Sequence, residues 1–232
     1  MFEGVVTRIK DRFCPKDQRR SFSLGQLDLK LEPYLRRRGG FFIEAGANNG
    51  LRQSNTLYFE KYLGWHGLLI EAIPALAEAC RKNRPRCIVE NFALVSAQYT
   101  APKVEMDYLN LMSQVKGCLP TAETEARHLA KGLESLRKGD TRYTITVPAT
   151  TLSRILDKHR ISHIDLLSLD VEGYEPEVLK GLDFNRHRPA WLLLEVRDRP
   201  LIEQIILPFY QQTAILGENE SYADILYSAR SG

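Results

Sequence analysis

Gly39-Gly40-Phe41-Phe42-Ile43-Glu44-Ala45-Gly46-Ala47-Asn48-Asn49-Gly50 reads as a short buried strand, Phe41 to Glu44, that stops in a loop of small residues. The loop runs into Ser54-Asn55-Thr56 and the helical pattern Leu57-Tyr58-Phe59-Glu60, so a helix is expected over 54–63. Strand, Gly-rich turn and helix are the first half of a βαβ nucleotide-binding unit. Glycine belongs where a ligand approaches the backbone, because it takes φ > 0 at no steric cost. Further on, Gly67-Leu68-Leu69-Ile70-Glu71 reads as a second strand ending in a carboxylate. Such folds place the acceptor for a ribose diol there, which makes Glu71 the candidate.

The spacing in the loop is E-x-G-x-x-x-G over Glu44, Gly46 and Gly50, not the dinucleotide G-x-G-x-x-G. A pyrophosphate needs backbone N–H groups facing two phosphates. An acid at the mouth of the loop repels phosphate and favours a cation. S-adenosylmethionine (SAM) carries a sulfonium, an α-ammonium and a ribose, and no phosphate, so the sign of the charge selects SAM over NAD. The bland alternative is an ordinary strand-to-helix turn, and the acid at Glu71 weighs against it.

At 232 residues, 44% hydrophobic and 26% charged, the chain suits one sizeable α/β domain. We divide it into a segment 1–38, with a leading helix, and a domain 39–232 that holds an insertion, 97–142. A net charge of +3 does not argue for a nucleic-acid partner. The basic runs Arg36-Arg37-Arg38 and Arg81 to Arg86 are read as solvated helix ends and loops. Cys14, Cys80, Cys87 and Cys118 have no metal-type spacing and suggest idle thiols in a reducing compartment. No signal-peptide core and no membrane-length apolar run is found, and the expected location is cytoplasmic.

In chain order, residues 1–25 are basic and unassigned, with a lid or partner contact among their roles, and a helix is expected over Leu27 to Arg38 despite Pro33. Helix 74–82 opens on Pro74, and 86–90 is a third strand. This β-α-β-α-β run implies a parallel sheet with right-handed crossovers and ligands beyond the carboxyl ends of its strands. Asn91-Phe92-Ala93, just past the third strand, is placed to meet an adenine.

The insertion breaks the alternation, with a helix expected over Thr121 to Lys138, and such an overhang often sets acceptor specificity. Its Lys116, His128, Lys131 and Arg137 are each read as solvated rather than functional. Tyr143 to Pro148 is an alternating strand and Leu152 to His159 a helix.

The second informative stretch is Ile164-Asp165-Leu166-Leu167-Ser168-Leu169-Asp170-Val171-Glu172-Gly173-Tyr174-Glu175, a buried central strand that emerges at Asp170 on the edge of Glu44. In extended chain Asp170 and Glu172 face the same side. A helix follows from Glu175 to Leu182, then a strand over 190–196 that brings Glu195 to the same rim. A helix near Arg199 to Leu207 and two strands near 210–216 and 223–228, expected to pair as a hairpin at the sheet edge, complete the chain. His159 and His163 are read as structural.

The segments E-A-G-A-N-N-G (44–50), L-L-I-E-A (68–72) and L-L-S-L-D-V-E-G-Y-E-P-E-V-L-K-G-L (166–182) resemble the FkbM-type SAM-dependent methyltransferases. The resemblance spans roughly residues 40–230, leaves the first 25 residues and 97–142 unmatched, and is most specific at D-V-E-G-Y-E. It implies an α/β, Rossmann-like class I methyltransferase fold: a mostly parallel seven-stranded sheet with an antiparallel last strand and helices on both faces. It also implies O-methylation of a hydroxyl, most often on a sugar or natural product. Glu44, Gly46, Asn48 and Gly50 match the SAM loop, to which Asn55 and Ala72 are added from their place beside it and beside Glu71. Asp170 and Glu172 match the motif beside the transferred methyl group. Asn49 departs from the usual Asp or branched residue and puts little in doubt.

An alcohol is a poor nucleophile at neutral pH and needs a base or a metal. Asp170 is the first candidate to position or deprotonate it and Glu172 the second, with a helix cap the alternative role for Glu172. Asp170 and Glu195 are also placed to hold a divalent cation such as Mg²⁺. An NAD-type Rossmann oxidoreductase, a SAM-binding protein without activity and an RNA methyltransferase are the rival readings. The expected partner is a small-molecule or glycan acceptor, with no nucleic acid and no membrane span. Oligomeric state is open, a homodimer being one arrangement.

Overall fold

The computed structural model describes residues 14–136 and 138–230. Most of residues 1–25 and also Arg137 therefore fall partly or wholly outside the described residues, and the readings placed on 1–13 and on Arg137 lie outside them.

The core is a seven-stranded sheet of β1 (Phe41–Ala45), β2 (His66–Ile70), β3 (Ile88–Glu90), β8 (Leu166–Leu169), β9 (Trp191–Val196), β10 (Tyr210–Glu218) and β11 (Ala223–Ala229). Their order across the sheet is β3-β2-β1-β8-β9-β11-β10. β1 pairs in parallel with both β2 and β8, so the order reverses beside β1 and opens a crevice at its carboxyl end. Near-continuous apolar runs such as Leu166-Leu167 and Leu192-Leu193-Leu194 suit strands covered on both faces. Alternate residues divide between two cores: Ile43, Leu167 and Leu194 on one face, Phe42, Leu166 and Leu193 on the other.

The first core is covered by α5 (Leu152–Lys158), α6 (Glu175–Lys180) and α7 (Arg199–Ile206), through residues such as Ile155, Val178 and Ile202. The second is covered by α1 (Leu27–Leu31) and α2 (Leu57–Leu63), where Leu31, Tyr58, Phe59 and Tyr62 pack around Trp65. Between β2 and β3 runs α3 (Pro74–Asn83), with Ala77 and Cys80 inward.

Two helix boundaries differ from expectation. α1 stops at Leu31 instead of running to Arg38, because Pro33 has no N–H to continue the ladder. α2 begins at Leu57, since the Ser54 hydroxyl accepts from the Leu57 N–H (3.0 Å) and ends the loop there. β10 and β11 pair antiparallel as a hairpin at the sheet edge, as expected, with β11 between β9 and β10 and β10 outermost. β7 (Tyr143–Thr150) lies outside the main sheet.

β7 joins β4 (Ala93–Leu94), β5 (Lys103–Tyr108) and β6 (Gln114–Val115) in a second sheet, ordered β4-β7-β5-β6. A small apolar core of Ile73, Val104, Met106 and Val147 seats this sheet against the residues that follow β2. A single 3-10 turn, Asn110–Met112, and α4 (Ala122–Ser135) extend from it over the crevice. No helix among the described residues is long and apolar enough to cross a membrane.

Candidate active site

The loop after β1 is shaped by close approach. Gly46 has φ 75°, and a Cβ there would lie 1.9 Å from the Asp170 carbonyl oxygen, so only glycine lets the chain pass under the end of β8. Asp170 N–H in turn donates to the Ala45 carbonyl (3.0 Å), extending the parallel ladder to the site.

Glu44 does not face the crevice. Its carboxylate accepts from Ser54 Oγ (2.8 Å), Asn55 N–H (2.8 Å) and Thr56 Oγ1 (2.6 Å), so it ties down the far side of the loop. The expectation of an acid at the mouth repelling phosphate is corrected accordingly: β1 alternation turns Glu44 toward α2. Arg84 completes this lock. It is 1% exposed, donates to the Gly50 carbonyl (3.0 Å), Ser54 Oγ (3.2 Å) and Thr56 Oγ1 (3.2 Å), and is ion-paired with Glu60. Gly50 thus packs on Arg84 and Cys80, away from the crevice. Reading Arg81 to Arg86 as solvated holds for Arg81 and fails for Arg84, whose acidic partners come from β1 and α2.

At the crevice, Glu71 is buried and accepts from Asn48 N–H and Ile73 N–H, each at 2.8 Å. Burial pushes its carboxyl up to about 7, against the pull of those hydrogen bonds. Asn91 Nδ2 donates to the Glu71 and Ala72 carbonyls, both at 2.8 Å, so Asn91 braces the end of β2 from outside the cavity. Gly46, Asn48, Glu71, Ala72, Phe92 and Ala93 line a cavity of about 100 Å³, which Met106 and Leu111 of the second sheet and its turn close from above. Arg52 lines its mouth and was not anticipated.

A second cavity of about 1210 Å³ shares Gln53, Leu111, Asp170, Glu172 and Tyr174 with the first. Asn55 lines this one instead, with Nδ2 donating to Ser168 Oγ (3.1 Å) and Oδ1 without a partner among the described residues. Asp170 and Glu172 do meet here, but not through extended chain: Glu172 has φ 58° and Gly173 φ 101°, a left-handed turn that folds the motif back. Glu175, not Glu172, satisfies the turn, accepting from Val171 N–H (2.8 Å) and Gly173 N–H (3.2 Å).

The resulting floor is acidic. Arg197 donates to Glu172 Oε2 (2.6 Å) and to Glu195 Oε1 (2.9 Å). Burial raises Glu172 and Glu195, their mutual repulsion with Asp170 adds to it, and Arg197 opposes it. Glu175 is pushed to about 7, chiefly by burial. Asp170 is exposed to the larger cavity; desolvation raises its carboxyl, Arg197 lowers it and Glu44 raises it further. Oxygens of Asp170, Glu175 and Glu195 lie within 4.8 Å of one another.

His128 reverses its sequence reading. It is 4% exposed, lines the larger cavity, and lies with Nδ1 3.8 Å from Glu172 Oε2. Lys131 reaches Ser221 Oγ (3.4 Å) and Lys116 reaches Glu105 (3.4 Å), both at the surface. His159 and His163 pair with Glu90 and Asp165 and line neither cavity.

A seven-stranded sheet with an inserted antiparallel last strand, a glycine turn after β1 and a buried acid after β2 define a class I SAM-dependent methyltransferase. Within that class the chain belongs to the FkbM methyltransferase family, residues 44–224 matching the Methyltransferase FkbM domain. Among solved structures it is similar to a TehB-like SAM-dependent methyltransferase from Corynebacterium glutamicum, at 10% identity and TM-score 0.44 over 88% of each chain. It is also similar to a precorrin-6y C5,15-methyltransferase from Geobacter metallireducens, at 10% identity and TM-score 0.40 over 88% of this chain and 87% of that one. A search of the curated proteins found no match.

Proposed function

We propose that this FkbM-family methyltransferase is an O-methyltransferase acting on a hydroxyl of a small molecule or glycan, with a sugar or natural product the favoured class. The observation that carries this reading is the pair of cavities sharing one wall at Asp170 and Glu172. One is lined by a buried acid and small residues; the other, at about 1210 Å³, is slightly above the usual size of small-molecule sites, about 300–1,000 Å³.

The donor set of the smaller cavity fits part of SAM; at about 100 Å³ it is below the usual range of ligand sites, so the cofactor would extend past the shared wall into the larger cavity. Glu71 is a carboxylate short of proton-bearing partners beyond two backbone amides, suited to a ribose diol. Phe92 and Ala93 offer apolar surface to an adenine, Gly46 and Asn48 offer backbone, and Arg52 suits a carboxylate. Glu44, Gly50, Asn55 and Asn91 shape this site from behind. SAM supplies an electrophilic methyl group on a sulfonium, and the acidic wall at Asp170 is the side on which a positive charge is favoured. Asp170 then orients the acceptor hydroxyl, with Glu172, held by Arg197, beside it on the same wall.

A second reading adds a divalent cation at Asp170 and Glu195, with Glu175 the third donor. Hard oxygen donors of this kind suit Mg²⁺, which would lower the acceptor's pKa. Arg197 already supplies positive charge to Glu195, and a cation would share that carboxylate with it. We also propose a cytoplasmic setting, consistent with four free cysteines.

The test is transfer from radiolabelled SAM to a panel of glycosides, phenols and amines, with EDTA or Mg²⁺. Label on a hydroxyl supports the reading, label only on amines overturns it, and activity lost in EDTA and restored by Mg²⁺ selects the second.

A further inference from the structure

We propose that His128 is the general base of the reaction, taking the acceptor's proton on Nδ1. The proposal rests on the O-methylation reading above, because it requires an acceptor that gives up a proton.

The insertion is built to hold this ring in one place. α4 opens with a capping box in which Thr124 N–H donates to Thr121 Oγ1 (3.1 Å) and Thr121 N–H to Thr124 Oγ1 (3.1 Å). One turn later Glu125 accepts from Gln114 Nε2 (2.8 Å), Gly117 N–H (3.0 Å) and Leu119 N–H (3.3 Å), which pins the helix to the strand and loop before it. Gly132 lies four residues beyond His128, on the same helix face. A Cβ there would lie 2.7 Å from Leu109 Cδ1, so glycine lets this face approach the 109–112 turn. The ring of His128 is thereby buried between α4, that turn and the D-V-E-G motif.

The hydrogen bonds decide the tautomer. His128 Nε2 lies 2.9 Å from the Met112 carbonyl, which can only accept, so the proton is on Nε2. Nδ1 then carries the lone pair. Glu172 Oε2, 3.8 Å from it, is an acceptor beyond hydrogen-bond distance and is already bonded to Arg197. Among the described residues nothing donates to Nδ1, and His128 lines the cavity that ends at Asp170.

The charges around the ring are Glu125 and Lys131 on its own helix, Glu172 from the motif and Arg197 beyond β9. Burial holds the imidazole below its ordinary range, Arg197 and Lys131 in the same direction, with the Met112 carbonyl and Glu125 opposing. The ring is therefore neutral at pH 7, with Nδ1 able to take a proton. In the step, an O–C bond forms as the C–S bond of the sulfonium breaks with its electron pair passing to sulfur. The hydroxyl proton goes to Nδ1, and Glu172 stabilises the imidazolium that results.

The test has two arms. In the first, nitrogen-labelled histidine spectra of the wild type and H128Q identify the ring by difference. The expected ring carries its proton on Nε2 at pH 7 and titrates below an ordinary histidine; a Nδ1–H tautomer, or a ring charged at pH 7, overturns the proposal whatever the acceptor. In the second, methyl α-D-glucopyranoside and catechol are the probe acceptors. H128Q is expected to lower kcat at least about 100-fold, lose the acidic limb of the pH profile and bind S-adenosylhomocysteine within threefold of wild type. Added imidazole is expected to restore part of the activity of H128A, which a purely structural role would not allow. H128Q with wild-type kcat and an unchanged profile overturns the proposal. If wild type transfers to neither probe, the acceptor class proposed above is what fails, and the ring spectra alone decide His128.

Discussion

Asn48 N–H donates to Glu71 Oε2 at 2.8 Å, joining the glycine loop after β1 to the acid after β2. This bond sets the width of the crevice, and the same carboxylate is the one placed to meet a ribose. Replacing Glu71 by Gln leaves an acceptor for one amide and removes the charge-assisted acceptor for the diol. We expect E71Q to weaken S-adenosylhomocysteine binding roughly 10- to 100-fold, about 1.4–2.8 kcal/mol, measured by calorimetry. Unchanged affinity would remove Glu71 from the cofactor site.

Arg84 acts on the same loop from the opposite side, through Glu60, Gly50, Ser54 and Thr56. Removing one partner of a buried ion pair leaves the other uncompensated and costs about 3–5 kcal/mol. R84M is therefore expected to lower Tm markedly and to weaken S-adenosylhomocysteine binding. Thermal melts and titrations on the same sample check both effects, and a stable variant with intact binding would show that the lock is dispensable.

Glu71 and Glu175 are each raised from 4.5 to about 7 in the folded chain. A group whose folded pKa is raised contributes stability that is present below its unfolded value and lost as pH rises through its folded value. The ligand-free protein is thus expected to lose stability between about pH 4.5 and 7 from these two groups. Melts across that window check the sign, and E71Q should flatten part of the slope. A Tm that climbs over the same window would contradict the assignment.

Asp170 is on the wall shared by the two cavities. D170N keeps the shape and removes the charge. Methyl transfer is expected to be lost while S-adenosylhomocysteine still binds within severalfold, because Glu71 and the glycine loop are untouched. Full activity in D170N would exclude Asp170 from the reaction.

The parts of this architecture legible in the sequence are those fixed by local rules. Apolar runs bounded by glycine gave the parallel strands β1, β2 and β8, and Gly46 and Glu71 stand where strand-turn-helix logic places them. What stayed hidden depends on distant pairing. Glu44 looked like a ligand-facing acid because its partners, Ser54 and Thr56, are side chains of a loop whose fold no spacing rule prescribes. Arg84 sat in a basic run that reads as solvated, and only the fold carries it to Glu60. His128 lies in a helix with few apolar residues, and its burial comes from Gly132 and the 109–112 turn. β7 reads as an ordinary strand, and its pairing with β5 and the two residues of β4 is a long-range choice.

The crevice between β1 and β2 is the proposed SAM site. Calorimetric titration of the purified protein with SAM, S-adenosylhomocysteine and NAD tests it most directly. Micromolar binding of the two adenosyl ligands, weakened roughly 10- to 100-fold in E71Q, with none of NAD, is the predicted result. Binding of NAD with no response to either adenosyl ligand would contradict the account.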